Sequence, residues 1–238
     1  LMDRLQQAYG QLEAFNADVA HELRTPLATL IGETEVALSR ERSPEALRET
    51  LQSNLEEMQR LSALVNDMLF LSQADRGVAA RRGAPVSLAN LAAQVSEFHE
   101  ATLEDAGLAL RIDGDATLPV DEPLVKRALS NLLGNATRYA APGTTIAIEI
   151  REDAERCEAC APQVVLEVGN RGPGIDAEHL PRLFDRFYRA DAARLQADGN
   201  HGLGLAIVAA IARLHGGRCF AQSRDGVTRI GMELPKGL

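Results

Sequence analysis

The sequence has no tryptophan, and aromatic residues make up only 4% of its 238 residues. Its three cysteines are an odd and small number, which provides no disulfide framework and suits a reducing compartment. No run approaches the roughly 20 apolar residues that a membrane-spanning helix needs, and no signal peptide is recognisable. We therefore expect the chain as given to be soluble and free of disulfide bonds.

An excess of basic residues is also missing. The chain has 25 lysines and arginines against 34 aspartates and glutamates, a formal net charge of −9, with no long basic run. This balance argues against nucleic acid or an anionic membrane as the main partner. Apolar residues make up 45% of the chain, which is enough to bury the cores of two modest domains.

The N-terminal third is predicted to form two long helices joined by residues 40–44. Ser43 is the expected N-cap of the second helix, and Pro44 suits its first helical position. Apolar residues form a stripe along the first helix and recur at every third or fourth position along the second. They are Leu5, Leu12, Phe15, Val19, Leu23, Leu27, Leu30 and Ala37 before the break, and Leu47, Leu51, Leu55, Met58, Leu61, Val65 and Met68 after it.

A two-helix hairpin of this size cannot cover its own apolar stripes. Pairing with a second copy would bury them in a four-helix bundle, so we predict a homodimer. Packing of the hairpin on the downstream domain is the alternative. We expect the hairpin domain to occupy residues 1–75 and a glycine-containing linker residues 76–85, and this linker permits either arrangement.

One polar patch lies opposite the first stripe. At about 100° per residue, His21 falls about 180° from Leu12, so it should face solvent. Glu22 is adjacent, and Thr25 lies one turn further along on nearly the same side. A lone exposed histidine is usually only a solvated side chain.

The residues around His21 indicate that it is more than a solvated side chain. His21-Glu22-Leu23-Arg24-Thr25-Pro26-Leu27 resembles the phosphoacceptor motif of the sensor histidine kinases of bacterial two-component systems. The resemblance is specific, because Pro26 removes a backbone donor and bends a helix, and is otherwise unwelcome there.

Alternating helices and strands are predicted for residues 86–238. Helices are expected over 88–104, after the N-cap Asp121 and over 202–214, and strands over 108–113, 144–151, 163–168, 218–222 and 227–234. The last two strands are predicted to form a closing hairpin around Asp225-Gly226. This order predicts a mixed sheet covered on one face by helices. The whole chain is then an α+β protein, with the helical hairpin followed by an α/β sandwich.

Three strings in this second domain suit a nucleotide. Asn131 and Asn135 are four residues apart on one helix, so both amides face the same way and offer neutral oxygen ligands to Mg2+. In Asn170-Arg171-Gly172-Pro173-Gly174-Ile175, the glycines let backbone approach a flat base. In Gly199-Asn200-His201-Gly202-Leu203-Gly204-Leu205, backbone N–H groups at a helix start can cradle phosphate.

In this order and spacing, the three strings are similar to the ATP-binding domain shared by gyrase, MutL and histidine kinases. The resemblance implies that Arg138 reaches the phosphates of ATP and that Tyr139 lies against the nucleoside. Leu183 to Arg189 resembles the aromatic box of the family, and a polar run to Asp198 after it is predicted to be a mobile lid. In this box Tyr188 and Arg189 are candidate nucleotide contacts, and either Arg186 or Arg189 screens the γ-phosphate.

The chain departs from the family at three places. Asn170 stands where aspartate is usual, which should weaken ATP binding without abolishing it, and some heavy-metal-sensor-like members resemble the chain in this. Asn200 replaces a glycine, but asparagine tolerates the left-handed backbone. Cys157 and Cys160 are two ligands short of a zinc site, so we interpret them as two solvent-side thiols.

The resemblance implies an autokinase. His21 would attack the γ-phosphorus of Mg-ATP with Glu22 as proton acceptor, and the phosphoryl group would pass to an aspartate of a response regulator receiver domain. Thr25 would serve the reverse hydrolysis, making the protein a phosphatase of its regulator. Because the chain begins with Leu1 and the family is commonly anchored, we expect it to be the cytoplasmic portion of an inner-membrane protein, with membrane contact only through a missing N-terminal part.

Two other functions remain open at this point. An ATP-driven clamp like gyrase or MutL lacks the histidine hairpin and uses a catalytic acid in the asparagine helix. A dimeric scaffold that binds nucleotide with weak or no kinase activity would have Asn170 as its signature. Formation of an acid-labile, base-stable phosphoprotein would separate the kinase from both.

Overall fold

A computed structural model describes residues 2–77, 79–153, 163–190 and 201–236, together with the side chains of residue 17 and of those from 19 onward. The chain forms two compact units. One contains the described residues up to Leu69 together with His201, and the other contains the remaining described residues from Phe70. In the described part of the chain, no helix combines the length and the apolar character needed to cross a bilayer.

The first unit is a helical hairpin. Helix α1 spans Met2–Leu38 and helix α2 spans Pro44–Ala74. Ser43 caps α2 as predicted, because its Oγ accepts a hydrogen bond from the Ala46 N–H at 3.2 Å. The buried carboxamide of Asn54 on α2 donates to Thr34 Oγ1 on α1 at 3.1 Å, which ties the two helices together.

The apolar stripe of α2 is left largely exposed within the chain. Leu51, Leu55 and Met58 are 68%, 53% and 51% exposed. Leu64, which lies outside that stripe, is by contrast only 1% exposed, so α2 has two apolar faces. The homodimer stays a prediction, and the exposed face of α2 supports it.

The second unit is an α/β sandwich, as predicted. Its strands are β1 (Pro85–Ser87), β2 (Ala109–Asp113), β3 (Thr117–Pro119), β4 (Thr145–Asp153), β5 (Gln163–Arg171), β6 (Arg218–Arg224) and β7 (Val227–Pro235). Its helices are α3 (Leu88–Asp105), α4 (Glu122–Tyr139) and α5 (Gly204–Leu214), with a 3-10 turn at Leu180–Arg182.

The main sheet has the strand order β2-β4-β5-β7-β6. Only β2 and β4 are parallel, and the other neighbours are antiparallel. Strand β5 has five consecutive buried residues, from Val164 to Val168. In β4, by contrast, alternate residues are buried under the helices, among them Ile146 and Ile148. This alternation is what a sheet with one helix-covered face requires.

Local chemistry fixes the ends of several elements. The Asp121 carboxylate accepts from the Leu124 N–H at 3.3 Å and caps α4, as predicted. The β6–β7 hairpin turns at Asp225 and Gly226, whose φ angles of 53° and 72° are both positive. Two such residues form the tight turn that matches strand twist, so this hairpin prediction is confirmed.

Some predicted boundaries were wrong. Strand β5 was expected to end at Val168, but it continues to Arg171 because β7 pairs with it as far as Val227. Asn170 therefore lies within a strand rather than after one. The short strands β1 and β3 were missed, because three residues carry no periodicity. Cys157, Cys160, Gly199 and Asn200 lie outside the described residues.

Candidate functional site

The predicted phosphoacceptor is accessible. His21 is exposed on α1, and Thr25 is exposed one turn later, with its Oγ1 donating to the His21 carbonyl at 3.5 Å. Glu22 is partly buried, and its Oε2 lies 3.0 Å from His201 Nδ1 in the same unit. Pro26 is buried and lies inside the helix, as the motif predicts.

Helix α4 carries the predicted magnesium ligands along one edge of its buried face. Asn131 and Asn135 are both partly buried, whereas Arg138 and Tyr139 at the end of the helix are exposed. At about 100° per residue, Asn135 is rotated by about 40° from Asn131, so the two amides share a face. The structure thus keeps the side-by-side arrangement that the spacing predicts.

The amide of Asn131 is held in one orientation. Its Nδ2 donates to the Arg127 carbonyl at 2.9 Å, which leaves Oδ1 directed at the start of α5. A Cβ built on Gly204 would lie 2.8 Å from that oxygen, so a larger residue there would have to displace the Asn131 amide. The first and third strings of the sequence therefore meet at Asn131 and Gly204.

In the described part of the third string, Gly202 packs against the aromatic box. The Phe187 N–H donates to the Gly202 carbonyl at 3.1 Å, and Gly202 has a φ of +69°. A Cβ on Gly202 would approach the Phe187 backbone to 2.9 Å. Leu203 is 1% exposed and Leu205 is partly buried, so these leucines anchor the loop rather than offer polar contacts.

The second string is built on β5. Asn170 is 5% exposed, and a Cβ on Gly172 would lie 2.2 Å from the carbonyl oxygen of Tyr139. Gly174 has a φ of +79°, and the next N–H, that of Ile175, donates to Ser223 Oγ at 2.9 Å. Glycine is therefore required where this loop passes the end of α4.

Ser223 and Thr228 are residues that the sequence analysis missed. Their hydroxyl oxygens lie 3.2 Å apart, and Thr228 pairs with Asn170 in the β5–β7 ladder. They come to the loop through the β6–β7 hairpin, which no local pattern connects to residue 170. They add hydroxyl groups beside the buried amide.

Tyr188 is positioned by two neighbouring side chains. Its hydroxyl lies 2.6 Å from His179 Nδ1, and the Arg182 guanidinium stacks on its ring at 4.2 Å. Arg189 is partly buried and has a polar partner of its own. Their predicted nucleotide contacts stay predictions.

The arrangement can hold a divalent cation with a polyphosphate. The Asn131 oxygen faces the start of α5 at Gly204, and Asn135 shares its face of α4. Carboxamide oxygens are ligands that suit Mg2+, and a helix start suits phosphate. In the second unit, the structure thus places Gly204 beside Asn131 on α4 and Gly172 beside Tyr139 at the end of the same helix.

Two family models match the chain. The model described as "His Kinase A (phospho-acceptor) domain" matches residues 11–77. The model described as "Histidine kinase-, DNA gyrase B-, and HSP90-like ATPase" matches residues 120–238. His21 lies in the first match, and the three glycine and asparagine strings lie in the second.

Comparison with individual curated proteins also finds histidine kinases. The sensor histidine kinase CusS of Escherichia coli strain K12 is 42% identical over 236 residues, covering 99% of this chain and 48% of that protein. The chain thus spans about half the length of the curated relatives it matches.

Two solved structures share the fold. The histidine kinase ThkA in complex with the response regulator protein TrrA has a TM-score of 0.73 and 22% identity, covering 98% of this chain and 64% of that one. Full-length ShkA in complex with AMPPNP has a TM-score of 0.65 and 24% identity, covering 92% and 45%.

Proposed function

Since the chain belongs to the sensor histidine kinases, we propose that it is the part of such a kinase that binds ATP and phosphorylates itself on His21. The observation that carries this proposal is the exposed imidazole of His21 within the segment matched by the phospho-acceptor model. A buried imidazole could not attack a nucleotide. The asparagine and glycine elements of the second unit provide the matching site for the nucleotide.

In the proposed reaction, a neutral ring nitrogen of His21 attacks the γ-phosphorus of ATP. A nitrogen–phosphorus bond forms, the bond to the bridging oxygen breaks, and ADP leaves. Glu22 accepts the ring proton, because an acceptor beside the nucleophile keeps the attacking nitrogen available. The protein otherwise acts by positioning groups and offsetting charge.

The nucleotide is proposed to lie against the second unit. Backbone N–H groups around Gly202 and Gly204 hold the phosphates, and Arg138 and Arg189 contact them. Asn170, Gly172, Gly174 and Ile175 form the base-binding loop, with Tyr139 and Tyr188 beside the nucleoside and Leu203 and Leu205 anchoring the cradle.

The residues present also fit a Mg2+ ion bound with the nucleotide. The hydrogen bond of its own amide directs Asn131 Oδ1 at the start of α5, and Asn135 adds a second carboxamide on the same face of α4. When bound, Mg2+ would offset the negative charge of the phosphates, which an acidic chain with a net charge of −9 needs.

The remaining proposals concern partners and location. The phosphoryl group passes from His21 to an aspartate on the receiver domain of a response regulator, and Thr25 serves the reverse dephosphorylation. Two chains pair through the exposed face of α2 as a homodimer. The domain bounds 1–75, 76–85 and 86–238 remain our proposal, as does a place on the cytoplasmic side of an inner membrane.

Incubation with γ-labelled Mg-ATP tests the function. We expect label that is stable in base and lost in acid, as befits phosphohistidine, and none on His21→Ala, although that variant still binds nucleotide. His99→Ala removes a different histidine and should label normally. Persistent labelling of His21→Ala would place the phosphoacceptor elsewhere, and nucleotide binding without label on the native chain would favour the scaffold.

A further inference from the structure

The last turn of α2 is part of the second unit rather than of the hairpin. Leu71 and Ala74 are 1% and 5% exposed, and the Arg127 guanidinium lies 4.3 Å from the centre of the Phe70 ring. Arg127 is one turn before Asn131 on α4, and its backbone carbonyl accepts a hydrogen bond from Asn131 Nδ2. The end of α2 is therefore anchored beside the proposed magnesium ligands.

The residues after α2, 75–77 and 79–83, form a segment that we call the strap. It continues along the same unit through three hydrogen bonds to backbone carbonyls. The Ala80 N–H donates to Leu214 at 3.0 Å, Arg82 Nη2 to His215 at 2.9 Å, and the Gly83 N–H to Val120 at 3.3 Å. The strap is thus fixed across the end of α5.

The first residue of the strap holds two arginines. Asp75 Oδ2 accepts from Arg186 Nη2 at 2.5 Å, and Asp75 Oδ1 accepts from Arg213 Nη2 at 3.4 Å. One arginine comes from the aromatic box and the other from the last turn of α5. The Arg186 side chain is only 29% exposed, so this contact is better shielded from water than that of Arg213, which is 61% exposed.

Arg186 lies next to the proposed phosphate cradle. The residue after it, Phe187, donates its N–H to the Gly202 carbonyl at 3.1 Å, which fixes the backbone of the box against the glycine loop. A guanidinium binds carboxylate and phosphate oxygens with the same forked donor geometry. A carboxylate and a phosphate can therefore compete for the Arg186 guanidinium.

We propose that Asp75 is a positioning residue that holds Arg186 until a nucleoside triphosphate binds, and that the terminal phosphate competes with Asp75 for this guanidinium. The inference rests on the proposed function, since it takes ATP as the ligand of this unit. A diphosphate lacks the competing group and leaves the Asp75–Arg186 pair intact. The end of α2 and the strap are then held more tightly with ADP than with ATP.

Calorimetry on the full chain with Mg2+ and either AMPPNP or ADP tests this. Asp75→Asn keeps the size of the side chain but removes its charge, so AMPPNP should bind about two- to fivefold more tightly, the range expected of a partly exposed ion pair. ADP affinity should not change. Glu152→Gln removes another exposed carboxylate, paired with Lys236, and should leave both affinities as they are.

A double-mutant cycle of Asp75→Asn with Arg186→Ala separates the positioning of Arg186 by Asp75 from a general structural effect of the Asp75 substitution. In that background, Asp75→Asn should no longer affect AMPPNP binding. Equal changes for the two nucleotides, no change, or weaker AMPPNP binding in Asp75→Asn would overturn the inference while leaving the kinase proposal in place. Failure of the native chain to bind either nucleotide would overturn both.

Hydrogen exchange gives an independent reading. With AMPPNP bound to the native chain, the backbone amides of the strap should exchange faster than with ADP, because the Asp75 contact has been lost. Identical exchange of these amides in the two complexes would contradict the proposal.

Discussion

The imidazole of His215 joins the end of α5 to the start of α4, because its Nε2 accepts a hydrogen bond from the Asp121 N–H at 3.0 Å. Its Nδ1 lies 2.8 Å from the Ile211 carbonyl, which can only accept, so the proton sits on Nδ1. His215 is 2% exposed. One neutral tautomer therefore connects the helix that begins at Gly204 with the helix that carries Asn131.

His215→Phe should destabilise the protein. The ring still fills the space, but the buried Asp121 N–H loses its acceptor, which costs about 1–3 kcal/mol. The midpoint of urea unfolding measures the loss. His99→Phe is the control, since the His99 ring is less buried and makes a side-chain hydrogen bond to Ser130 at 2.9 Å. A midpoint no lower for His215→Phe than for His99→Phe would contradict this role.

The sequence predicted those features that depend on neighbouring residues. The caps at Ser43 and Asp121, the turn at Asp225 and Gly226 and the common face of Asn131 and Asn135 all follow from spacing or from single side-chain preferences. The first string lies on the predicted helix and the described part of the third leads into one, whereas the second begins within β5 rather than after it.

Contacts between distant parts of the chain could not be predicted. Ile175 and Ser223 are 48 residues apart, Asp121 and His215 are 94, and Asp75 and Arg186 are 111. Each is created by strand order or helix packing, and a single sequence has no period that records it. No spacing in the sequence indicates a partner for His215, although both of its ring nitrogens are engaged in the structure.

The buried carboxyl of Glu167 should make the stability of the protein depend on pH. It is 3% exposed on β5, with Arg151 at 3.1 Å and Arg229 at 3.5 Å. Burial raises the pKa of its carboxyl above the ordinary value, and the two arginines only partly oppose this shift. An acid whose pKa is higher in the folded than in the unfolded state stabilises the fold when it is protonated. The contribution of Glu167 to stability is therefore full below the unfolded pKa and is lost as the pH rises through the folded pKa.

Glu167→Gln should therefore flatten the pH dependence of the thermal unfolding midpoint. The native protein should lose stability relative to this variant as the pH rises from below the ordinary glutamate range to neutrality. Glu152→Gln alters an exposed glutamate and should leave the shape of the native curve unchanged. Parallel curves for the native protein and Glu167→Gln would rule out this account of Glu167.

Asn170→Asp should have opposite effects on nucleotide affinity and on stability. A charged acceptor contributes ~1.5–3 kcal/mol to a hydrogen bond against ~0.5–1.5 kcal/mol for a neutral one, so ATP should bind about tenfold more tightly. Asn170 is 5% exposed, so an aspartate there would bury a charge and lower the unfolding midpoint without nucleotide.

Calorimetry and thermal unfolding measure the two effects of Asn170→Asp separately. Gln222→Glu adds a negative charge at an exposed position of β6 and controls for net charge. Equal or poorer ATP affinity of Asn170→Asp would remove the role proposed for residue 170 in recognising the base.

Thr25→Ala should separate the two proposed activities of the helical hairpin. Thr25 is exposed one turn after His21, and its hydroxyl bonds the His21 carbonyl at 3.5 Å, a long contact that leaves it able to orient a water. Autophosphorylation does not use that hydroxyl and should persist, whereas dephosphorylation of the regulator should fall by about 10²-fold, the cost of misplacing a reactant.

Thr29→Ala is the matched control, because Thr29 is exposed one turn further and makes the same type of bond, to the Thr25 carbonyl at 3.2 Å. Both variants should label equally with γ-labelled ATP, and an equal loss of dephosphorylation in both would mean that the helix backbone, not the Thr25 hydroxyl, is what matters.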